Sequence, residues 1–151
     1  MVDEAAYRDM REQRNPLPCV FHAALLARQA ECELVQRRSL AERETLACPN
    51  APAHLNCETL ERLFLERATF PLHLHPGAPL THATVMRLHC GGIQGLQQAL
   101  DAERPDVHRL IAQAQQVHGS LTELPWPGIV ARIVAWQPRR RSTQPPPGPR
   151  P

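Results

Sequence analysis

Five cysteines, Cys19, Cys32, Cys48, Cys57 and Cys90, are the residues of this chain best suited to chemistry. Their odd count, together with an N-terminus that alternates charges instead of carrying an apolar leader, argues against a disulfide framework. Cys32, Cys57 and Cys90 fall on the apolar stripes of three segments with helical periodicity, so closing a bundle would bring them toward one interior. Cys48 lies nine residues before Cys57, in a loop stiffened by Pro49, and completes a four-thiolate set: Cys32, Cys48, Cys57 and Cys90. Thiolates in a low-dielectric interior select soft metals. Four of them from scattered elements suit a 4Fe-4S iron–sulfur cluster, with a structural zinc ion as the alternative. Gly91 and Gly92, directly after Cys90, are the expected cofactor-contacting positions, because a residue without a Cβ lets the backbone approach closely. Cys57 is expected at a helix N-terminus, whose unsatisfied N–H groups favour thiolate. Cys19, at the Pro-flanked edge of its segment, is left out of the set.

The spacing contains no Cys-x-x-Cys pair, so it matches neither ferredoxin runs nor common zinc ribbons. Buried cysteine also serves as a small hydrophobe, and inert core thiols are the competing reading. Histidine offers a second constellation: His73 and His75 project to one side of an extended segment, and His82 and His89 lie on one helical face beside Cys90. His54, between Cys48 and Cys57, is the expected substitute ligand for zinc, with His89 a further candidate. No phosphate loop, nucleophile elbow, zinc-protease motif or dinucleotide fingerprint occurs.

The elements that must position these residues are expected to be helical. Of the 151 residues, 19 are Ala and 19 are Leu, a supply that favours helices over a sheet. The spacing predicts a first helix over 19–46, with a break at Ser39 where Ser39 and Glu42 have capping-box spacing. A loop over 47–56, capped at Asn56, leads to a helix over 57–70. Further helices are predicted over 81–100 around Gly91 and Gly92, over 105–119 ending at Gly119, and over a short stretch before Pro138. All 17 basic residues are Arg, and four of them lie without any acid in the Pro-rich segment 138–151, leaving the remainder with a net charge of −2. That remainder is not a basic nucleic-acid binder.

The expectation is an all-α, small irregular bundle of about five helices over 19–137, with a polar arm at 1–18 and a disordered Arg/Pro tail at 138–151. It is expected to be cytoplasmic, without a membrane span and with a protein partner instead of nucleic acid. Its expected role is electron transfer or assistance to a larger redox system, not stand-alone catalysis. The alternative is a helical adaptor with inert thiols, docking through its tail and through Trp126 and Trp136.

Overall fold

The computed structural model describes residues 17–138; the expected N-terminal arm to residue 16 and the tail from residue 139 lie outside them. Chain order begins with a two-residue strand β1 (Leu17–Pro18) and a short helix α1 (His22–Leu26), followed by the strands β2 (Gln36–Leu40) and β3 (Arg43–Cys48). Four longer helical bodies follow. They are α2 (Ala51–Ala68), α3 (82–99, carrying a π-helical turn at Arg87–Gly91), α4 (Val107–His118) and α5 (Trp126–Ala135).

A three-stranded antiparallel sheet in the order β1-β3-β2 replaces the C-terminal half of the expected first helix, so the fold is mixed α/β and not all-α. Two local events end the helix early. At Arg28 the backbone turns left-handed, φ 59°, and Gln29 N–H and Arg28 N–H bond back to the carbonyls of Ala24 and Leu25. This is a Schellman cap built on Arg where Gly is usual. Ala41 and Glu42 then adopt φ 47° and 69°, forming a two-residue hairpin loop whose twist suits antiparallel strands. Ser39 pairs with Glu44 in the ladder, so the apparent capping box is a hairpin. Neither strand is rich in β-branched residues; the pairing, with Leu46 and Ala47 of β3 both buried, overrides the local helical preference.

The α2 helix starts six residues earlier than expected. Asn50, not Asn56, is its cap, accepting from Ala53 N–H at 3.0 Å, with Pro52 in the first turn where no donor is needed. Cys57 therefore sits in the second turn, away from the free N–H groups. The α4 helix begins on Asp106, whose carboxylate accepts from Arg109 N–H, and ends at Gly119, φ 81°.

The core lies where α2, α3, α4 and α5 meet, around Leu60, Phe64, Ile93, Leu96, Leu110 and Ile129, all essentially inaccessible. Phe64 stands between Phe21 and Trp126, each 6.0 Å away between ring centroids. Trp126 and Trp136 are buried, which removes the expected tryptophan docking patch. Gly91 and Gly95 face α5: a Cβ at either would lie 2.7 Å from Ile133 Cα or 2.9 Å from Ile129 Cα. Among the described residues no helix is long and apolar enough to cross a membrane.

Candidate functional site: a four-thiol pocket

Cys19, Cys32, Cys48 and Cys57 line one pocket, each delivered by a different piece of chain. Cys19 follows β1 and is tied to the sheet by its N–H to Leu46 carbonyl at 3.0 Å. Cys48 ends β3, opposite Leu17 in the register, which makes Cys19 and Cys48 diagonal neighbours on adjacent strands. Its thiol donates to Asn50 carbonyl at 3.3 Å. Cys57 projects from the second turn of α2. Cys32 comes from the connection between α1 and β2, which is pinned to the start of α4: Glu31 N–H donates to Pro105 carbonyl, and Val107 N–H to Glu31 carbonyl. A two-bond Arg104–Glu31 pair, 2.6 and 2.8 Å, reinforces that junction.

Val20, Phe21, Val35 and Ile111 supply apolar walls. About 60 Å³ of solvent-sized space lies between them, above the roughly 10–15 Å³ a single water requires. Burial pushes the Cys19 thiol up to about 11 and the Cys57 thiol up to about 12, from an ordinary 9.0. Cys32 is raised by burial as well. The thiols also raise one another: Cys32 and Cys48 act on Cys19, and Cys32, Cys19 and Cys48 act on Cys57. Burial in the shared apolar space, with the neighbouring thiols, disfavours negative charge on Cys19, Cys32 and Cys57. A cation reverses that balance by drawing off the protons. All four are free cysteines.

His54 is not free to act as a ligand. Its Nδ1 meets Glu58 Oε1 at 2.7 Å and its Nε2 meets Pro18 carbonyl at 2.9 Å. Both neighbours are oxygen acceptors, and both ring nitrogens are occupied by them. The ring thereby latches α2, which carries Cys57, to the strand that precedes Cys19. His108 lies at the rim, 3.6 Å from Glu33. As the side chains stand, no three His, Cys, Asp or Glu among the described residues are grouped closely enough to hold a metal ion. The sulfurs surround a cavity instead of a point.

The remaining sequence candidates fall elsewhere. Cys90 is sealed in the core, fully inaccessible, its thiol pushed up to about 11 by burial alone. No other thiol acts on it. Gly91 and Gly92 serve helix packing: Gly91 meets α5, and a Cβ on Gly92 would lie 2.5 Å from Phe64 Cε2. His73, His75 and His82 are exposed. His89 is buried, bonds Glu61 Oε2 through Nε2 at 2.6 Å and stands edge-on to Phe21 at 5.0 Å; its Nδ1 has no partner among the described residues. Sequence reasoning passed over Cys19. The usable signal was that Cys19 and Cys48 both adjoin proline, at Pro18-Cys19 and Cys48-Pro49, where extended chain can pair. Cys90 shares a stripe with Met86 and Ile93, an ordinary core position. Comparison with protein-family models, curated proteins and solved structures found no match to the chain, so its functional reading rests on this pocket.

Proposed function

We propose that the protein holds an iron–sulfur cluster of the 4Fe-4S type through Cys19, Cys32, Cys48 and Cys57, and acts as an electron-transfer or accessory protein to a larger redox system. The carrying observation is that four reduced thiols from four separate chain segments line one apolar pocket. Zinc, bound at about 2.3 Å from each sulfur in a tetrahedron, requires sulfurs about 3.8 Å apart. No such grouping exists among the described residues, whereas a cluster inserts iron and sulfide between its thiolates and suits sulfurs set around a cavity. The apolar walls would keep water from the cluster, and hydrogen bonds and burial would set its potential.

Anaerobic reconstitution with ferrous iron and sulfide tests this reading. The expected product is brown, absorbs broadly near roughly 400 nm and carries about four irons per chain. Protein that stays colourless and iron-free overturns the cluster. Stoichiometric zinc in the protein as purified, with no iron uptake, would assign the same four thiols to a structural ion.

A further inference from the structure

A second cleft lies between the end of α1 and the facing sides of α3 and α5, lined by Arg28, Gln29, Gln94, Gln97, Arg132 and Trp136, with a volume of about 420 Å³. Its hydrogen bonds run in one direction. Arg132 donates Nε and Nη2 to Gln94 Oε1, at 3.1 and 2.8 Å, which fixes that amide with its oxygen toward the arginine. Gln94 Nε2 in turn donates to Gln29 Oε1 at 3.4 Å, and Gln97 Nε2 donates to the carbonyl of Ala102. The oxygens of Gln94 and Gln29 are thus spent inside the relay. What remains at its ends are donors: Arg132 Nη1, Gln29 Nε2 and the whole Arg28 guanidinium, which has no acceptor among the described residues.

No carboxylate lines this cleft among the described residues. The adjoining groove, which Arg28 also borders, is lined by Glu31 and Glu44, and there Glu31 is engaged by Arg104 and Glu44 by Arg37. Arg28 reaches the cleft from a left-handed backbone, φ 59°, at a cap position where glycine is the usual residue. Local backbone preference therefore does not account for arginine there.

We infer that this cleft binds a small anion bearing several oxygens, of the phosphate or carboxylate class, held between the Arg28 and Arg132 guanidinium groups with Gln29 donating. The Arg28 guanidinium offers paired N–H donors to such an anion and Arg132 adds its Nη1, all charge-assisted bonds of the stronger kind. The inference is independent of the four-thiol pocket.

Titration calorimetry of the full chain with inorganic phosphate, and separately with citrate, tests it, and the two arms distinguish a phosphoryl ligand from a carboxylate ligand. The expected result is saturable binding of at least one probe below millimolar concentration, weakening with added salt. Arg28→Gly is expected to weaken binding by about tenfold or more, while raising the thermal midpoint because glycine suits the left-handed position. Arg132→Gln should weaken binding to a similar degree. Absence of saturable binding by either probe overturns the inference, and so does binding that Arg28→Gly leaves unchanged.

Discussion

Cys19 and Cys90 differ in surroundings more than in accessibility to charge. The first shares an apolar space with three other thiols; the second is walled off by hydrocarbon. Cys19→Ser is expected to cut iron retention after reconstitution severalfold, since serine is a poor ligand for a thiolate-bound cluster, while Cys90→Ala leaves it unchanged; bound iron per chain measures both. Equal losses in the two variants would count against the assigned set. Cys90 also carries a pH dependence. Its folded value, about 11, lies above the ordinary 9.0, so the folded state keeps the proton longer than the unfolded state. Its contribution is whole below pH 9 and fades as pH rises toward 11, amounting to on the order of 2 kcal/mol. Urea unfolding of the metal-free protein across that range should show a loss that Cys90→Ala reduces.

Close helix contact and hairpin geometry decide matters at the next scale. Gly91→Ala places a methyl 2.7 Å from Ile133 Cα, and backbone cannot step aside as a side chain can. Destabilisation of about 1–3 kcal/mol is expected, outweighing alanine's better helix propensity. Gly128→Ala, with nothing within 4 Å, is the control and should be neutral or stabilising by up to about 1 kcal/mol. In the hairpin, Glu42 at φ 69° occupies a position that glycine fills without steric cost. Glu42→Gly is expected to raise the thermal midpoint, with a gain of roughly 0.5–1 kcal/mol. The sequence pattern made these residues legible only in part. The helices after residue 81 followed from stripes such as Val107, Leu110, Ile111 and Ala114, and from Gly119 as a stop, because those signals are local. The hairpin was hidden because Ser39, Ala41 and Glu42 satisfy a helical reading equally well, and only pairing with β3, whose Leu46 is buried, separates the two.

Across the whole molecule, the pocket cross-links parts of the chain that are far apart in sequence, from β1 to α2. A group bound there in the folded state alone stabilises by mass action, about 4 kcal/mol at a thousandfold excess over its dissociation constant. Reconstituted protein is therefore expected to melt well above the metal-free form, and a chelator should return it to the lower midpoint. His54→Ala removes the latch between α2 and the Pro18 carbonyl and should narrow the gap between the two forms, as calorimetric melting of both would show.

Composition and periodicity alone settled that the chain is Leu- and Ala-rich, that its second half is helical over the described residues, and that it carries five thiols, three of them on stripes of helical spacing. Those properties depend on residue type and on neighbours a few positions away. Which thiols line one pocket was decided by tertiary structure, because it depends on strand register, on the turn at Arg28 and on the Glu31–Val107 junction. Each of these joins residues whose proximity no local pattern encodes. Cys90 has the stronger helical stripe and goes to the core; Cys19, on extended chain beside a proline, reaches the pocket.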